Sequence, residues 1–140
     1  MVRPSLTAPR EPELEARLRA ALAAFPAVTL ALVFGSVAKG RARPDSDVDV
    51  AVQGRAALSA QERTDILAAL AAATGRPIDL VDLTIAPEPL LGQIVRHGRR
   101  LLGDDGAYAR LISRHLFEEA DFMPYRRRIL AERRMAWIGM

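Results

Sequence analysis

The chain has 140 residues, 20 basic and 17 acidic side chains, a formal net charge of +3, and 50% hydrophobic residues. That hydrophobic share excludes a disordered chain, and the length bounds it to one domain large enough for a real core. The absence of cysteine excludes disulfides and Cys-ligated zinc and fits a reducing cytoplasm, where the protein is expected. Only Lys39 among the basic residues is a lysine, and the basic charge gathers in the C-terminal third.

The first helix is predicted over Pro12–Ala24. Pro12 suits a first helical position, and Glu11, Glu13 and Glu15 suit its positive end. Glu13–Arg17 and Glu15–Arg19 are spaced to pair along it. Leu14, Leu18, Leu22 and Phe25 keep a helical period, and the period changes at Pro26, so Val28–Phe34 reads as a strand. The uncharged run from Ala20 to Ala38 imitates a signal peptide ending at Ser36-Val37-Ala38. The preceding glutamates, Pro26 and the change of period argue against that, and equally against a membrane span.

The strand ends abruptly at Gly35-Ser36. Ten residues later come Asp47 and Asp49, inside a second apolar alternation. A strand places i and i+2 on one face, so the two carboxylates project together, away from Val48, Val50 and Val52. Adjacent carboxylates repel and call for a cation between them, and a hard divalent metal such as Mg²⁺ is the economical choice. Gly35 permits close approach of a phosphate, and Ser36 adds a hydroxyl and a possible short-helix start with free N–H groups. A phosphate-holding turn beside a metal-holding strand is the equipment of phosphoryl or nucleotidyl transfer.

Downstream, Ser59-Ala60-Gln61-Glu62 is a capping box opening a helix through Ile66, Leu67 and Leu70 and stopping at Gly75. Pro77–Leu83 reads as a third strand carrying Asp79 and Asp82. These are three positions apart, so they face opposite ways, and only one can join Asp47 and Asp49. A helix over Pro87–His97, with Leu90, Leu91, Ile94 and Val95 inward, ends at Gly98. Arg99–Leu102 adds a short edge strand. Asp104 or Asp105 starts a long helix with Tyr108, Leu111, Ile112, His115, Leu116, Phe122 and Met123 on one side, broken at Pro124. Tyr125–Met140 is helix-compatible and carries Arg126, Arg127, Arg128, Arg133 and Arg134.

Gly35-Ser36, ten residues, then Asp47-x-Asp49 resembles the signature of the DNA polymerase β-like nucleotidyltransferase superfamily. The Ala38-Lys39-Gly40-Arg41 continuation and the small size resemble its minimal nucleotidyltransferase branch, which includes antitoxins paired with HEPN toxins. The C-terminal stretch from Tyr108 to Met123 is similar to theirs as well. The resemblance implies an α/β nucleotidyltransferase fold, a small mixed sheet flanked by helices, with a core over about 11–103 and a C-terminal helical segment over about 104–140. It implies transfer of AMP from ATP to an acceptor hydroxyl, which in the resembling antitoxins is a tyrosine of the HEPN toxin. By the same resemblance Asp47, Asp49 and a third acidic residue hold two Mg²⁺ ions, and Gly35 and Ser36 seat the β- and γ-phosphates. Lys39 and Arg41 are further phosphate contacts, or an exposed basic loop. Asp79, early in its strand, is favoured as the third carboxylate, and Asp82 as a strand-end residue or cap.

Arg110 and His115 match the R-x4-H spacing of HEPN ribonucleases, but His115 falls on the apolar stripe and reads as a core histidine. His97 reads as a helix C-terminal residue favourable to the dipole. The arginine cluster suits docking of an acidic protein surface. Tyr125 and Trp137 are too few for base stacking, so direct nucleic-acid binding is not expected. Two other readings stay open: a nucleotidyltransferase acting on a small molecule or RNA end, and an idle fold that neutralises a partner by binding alone.

Overall fold

A computed structural model describes residues 11–40 and 46–120, so Arg41 and the arginine cluster beyond Pro124 lie outside the described residues. The order is α1 (Glu11–Leu22), β1 (Val28–Phe34), α2 (Gly35–Ala38), β2 (Val48–Gly54), α3 (Ala60–Thr74), β3 (Ile78–Asp82), α4 (Leu90–His97) and β4 (Arg99–Leu102), then α5 over 105–120. The strands form a four-stranded sheet in the order β3-β2-β1-β4. β1 is antiparallel to both β2 and β4, while β2 and β3 are parallel, as their α3 crossover requires. The expected mixed sheet flanked by helices is the one observed.

Each face of the sheet carries its own core. Val33, Val48, Val50, Val52 and Leu80 meet Leu14, Leu18 and Leu22 of α1 and Ile66 and Leu70 of α3. The opposite face, with Leu30, Leu32 and Ala51, is covered by Leu91 and Ile94 of α4 and Leu111 of α5. Each such leucine contributes about 1.5–3 kcal/mol by leaving water, and replacing one by alanine costs ~2–5 kcal/mol. The two-residue period of β2 therefore divides the chain's chemistry by face.

The α3 ends follow the sequence closely. The Glu62 N–H donates to Ser59 Oγ at 3.1 Å, the Ser59 N–H donates to Glu62 Oε1 at 3.0 Å, and Gly75 closes the helix at φ +67. Asp104 caps α5, accepting from the Ala107 N–H at 2.7 Å. Three expectations need correction. α4 begins at Leu90 rather than Pro87, because Pro89 disfavours helical backbone at Glu88 before it. Glu15 pairs not with Arg19 but with Arg99 Nε at 3.0 Å, because it is buried against β4, while Arg19 Nε donates to the Leu101 carbonyl at 2.8 Å. Leu116 is 57% exposed and Phe117 73%. α5 packs through Leu111 and His115, and Leu116 stands about 100° further round the helix.

Among the described residues no helix is long and apolar enough to cross a membrane.

Candidate active site

β1 delivers the chain to Gly35, which takes φ +70, a left-handed conformation that favours glycine. The turn that follows, α2, is a single one, anchored by buried Val37 and closed by the Lys39 N–H donating to the Gly35 carbonyl at 3.2 Å. A Cβ on Gly35 would stand 2.0 Å from Asp49 Oδ2. The turn thus lies directly against the Asp49 carboxyl, and only a residue without a side chain fits there.

Strand register supplies the rest. Phe34 pairs with Asp49 across β1 and β2, and Asp49 pairs with Asp79 across β2 and β3, so the three form one row across the sheet. Because Val48 and Val50 are buried on the α1/α3 face, Asp49 projects to the α4 face. Asp49 is half-buried, and its pKa is pushed up to about 6, first by burial, then by the charge and hydrogen bond of Asp79, then by the charge of Asp47. Asp47 is exposed just before the strand, and Asp79 is exposed on its own. Among the described residues no three acidic or histidine side chains stand as a preassembled metal cage. The donor set nonetheless fits a hard cation. It is all oxygen, and the repulsion concentrated on Asp49 is what a divalent ion would relieve.

Above this row opens a cleft of about 480 Å³. Phe34, Gly35, Lys39 and Asp49 line one side, and Gln93, Arg96 and His97 of α4 the other. Sequence reasoning placed His97 at a helix end and passed over Gln93 and Arg96. Their signal was the i, i+3, i+4 spacing of polar residues opposite the buried Leu91 and Ile94. Ser36 is half-buried in the same turn and does not line the cleft.

Residues 17–107 match the family described as polymerase beta, nucleotidyltransferase. The chain belongs to that family. Protein adenylyltransferase MntA of Shewanella oneidensis is 36% identical over 88 residues, which cover 61% of this chain and 63% of that protein. The chain thus spans somewhat less than two thirds of that relative. A crystal structure of a toxin–antitoxin with AMP-PNP is similar with a TM-score of 0.66 at 27% identity, covering 83% of this chain and 98% of that one. A tri-AMPylated Shewanella oneidensis HEPN toxin in complex with MNT antitoxin gives a TM-score of 0.63 at 25% identity, covering 86% and 98% of the two chains.

Within this nucleotidyltransferase fold the remaining polar candidates have structural partners. Asp82 lies on the face opposite Asp79 and is 5% exposed. It accepts from the Leu58 N–H at 2.8 Å and from the Thr84 N–H at 2.9 Å, tying the start of α3 to the end of β3. His115 is 4% exposed and its Nδ1 lies 2.5 Å from Glu88 Oε1. Arg110 is exposed on α5, so the R-x4-H spacing assembles no site.

Proposed function

We propose that the protein transfers AMP from ATP to a tyrosine hydroxyl of a HEPN-type toxin and thereby acts as its antitoxin. The observation that carries this reading is Asp49, paired with Asp79, its pKa raised by burial and by Asp79 and Asp47, set against a glycine turn at the wall of an open cleft. Family membership supports nucleotidyl transfer, and the names of the relatives supply the acceptor class. Asp47, Asp49 and Asp79 would hold Mg²⁺, which when bound neutralises the triphosphate and lowers the pKa of the acceptor hydroxyl. Gly35 would let the phosphates come within contact of the backbone, and Lys39 would supply a donor from the same turn, while Ser36 would have to turn toward the cleft to join it. The acceptor oxygen forms a bond to the α-phosphorus as the bond to the β-phosphate oxygen breaks. Pyrophosphate leaves with the electron pair, and the hydroxyl proton would pass to Asp79. The cleft is open, so a protein-borne tyrosine can reach it.

The test is mass spectrometry of a HEPN protein co-expressed with this chain. Wild type should add one or more AMP groups to a tyrosine, and the Asp47→Asn/Asp49→Asn double variant none. Equal modification by both would remove the carboxylates from the reaction. Neutralisation of the partner by both without modification would leave a binding protein in place of an enzyme.

A further inference from the structure

The α4 wall of the cleft has no assigned role. Gln93, Arg96 and His97 stand on the polar face of α4, opposite its buried Leu91 and Ile94. Among the described residues the fixed cations lining the cleft are Lys39, beside Gly35, and Arg96 of α4, and Asp49 lines it as well. Asp49 would face the reacting α-phosphate end of a bound nucleotide, and the two cations would balance the remaining negative charge of its polyphosphate.

Arg96 is also arranged to be given up. In the structure its Nη2 is 3.6 Å from Glu119 Oε1, with the two side chains 62% and 45% exposed. A pair so long and so wet contributes little. Glu119 has a second neighbour in His115 Nε2, 3.5 Å away, and His115 in turn faces Glu88. When Arg96 turns toward an anion in the cleft, Glu119 is left facing water, since its side chain is 45% exposed, and no buried carboxylate is stranded. A guanidinium can then meet phosphate oxygens with two parallel N–H donors.

We infer that Arg96 swings from Glu119 onto the β- and γ-phosphates of a bound nucleoside triphosphate, opposite Lys39, and so makes the cleft selective for a pyrophosphate leaving group. This rests on the nucleotidyl-transfer reading above and adds to it the residue that grips the departing half of the substrate. As the acceptor oxygen bonds to the α-phosphorus and the bridging bond to the β-phosphate breaks, the negative charge that gathers on pyrophosphate lies under Arg96.

The experiment is calorimetric titration of the full chain with ATP and AMP, using Ca²⁺ in place of Mg²⁺ to suppress turnover. Wild type, Arg96→Gln, Arg96→Lys and Asp47→Asn/Asp49→Asn would be compared. Arg96→Gln should weaken ATP about ten- to a hundredfold and leave AMP within about twofold, the loss expected for a charge-assisted bidentate contact. Arg96→Lys should fall between Gln and wild type. Its side chain is exposed, so both variants should melt with the wild type. ATP binding within about twofold of wild type in Arg96→Gln would overturn the inference while leaving nucleotidyl transfer standing, as would an equal loss for AMP and ATP. A wild type that binds no ATP, or a double Asn variant that binds it undiminished in a metal-dependent way, would instead sink the underlying reading and this inference with it.

Discussion

Substituting Asp79 and Asp82 should give opposite results, because the sheet turns the two carboxylates to different faces. Asp82→Ala removes two acceptors for backbone N–H groups at a buried carboxylate and should cost on the order of 3 kcal/mol in a urea melt. Asp79→Asn touches an exposed side chain and should leave stability unchanged or slightly raised, because it relieves the repulsion on Asp49, while abolishing AMP transfer. If Asp82→Ala melts like wild type, the two hydrogen bonds are not what ties α3 to β3. Asp49 carries a pH signature of its own. Its folded pKa of about 6 lies above the ordinary 3.8, so between those values the folded state holds more proton than the unfolded chain. Metal-free stability should therefore fall as pH rises through that window and level off above about 6. Asp49→Asn should flatten the slope, and Mg²⁺ should restore stability most strongly above about pH 6, where it displaces no proton. A thermal melt series across pH, with and without Mg²⁺, would show both, and a flat wild-type profile would contradict the assigned burial and repulsion. The sequence alone showed that only one of Asp79 and Asp82 could join the pair. Which face was which required the register of β2 against β3, because both residues sit among the same kinds of apolar neighbours.

At the level of elements, α4 holds the less legible half of the cleft. Its inward residues Leu91 and Ile94 are readable from periodicity, and so is its end at Gly98. That its polar face would look across at Gly35 and Asp49 depends on a packing angle that no local pattern encodes. Gly92 records that packing. A Cβ there would come 2.8 Å from His115 Cε1 and 3.1 Å from Glu88 Oε2, whereas glycine to alanine in an open helix gains ~0.5–1 kcal/mol. Gly92→Ala should therefore destabilise the protein, by ~1–3 kcal/mol for a buried overpacking, rather than stabilise it. A melting temperature raised by this change would mean that α4 and α5 are free to separate. The α5 stripe shows the converse limit. Periodicity identifies a side, yet Leu116 belongs to that side and is mostly exposed, because only part of the arc finds a sheet to cover.

For the whole molecule, the strands and α3 were legible nearly to the residue, since capping, turn and alternation signals all agree there. Topology was not spelled out in the same way. The order β3-β2-β1-β4 brings Phe34, Asp49 and Asp79 into one row by pairing strands that are neighbours in space, with α3 intervening in the chain between the last two. That row has a thermodynamic consequence. Asp49 is mounted on an interior strand hydrogen-bonded on both sides, so it cannot be displaced without opening the sheet itself. Amides of β1 and β2 should exchange with deuterium only on global unfolding, while those of the edge strand β4 should exchange by local opening. Ligand binding should then spend almost none of its free energy on ordering the Asp49 carboxylate. Protection in β1 and β2 should rise on Mg²⁺–ATP binding only by the amount that global stability rises, with no segment passing from unprotected to protected around Asp49.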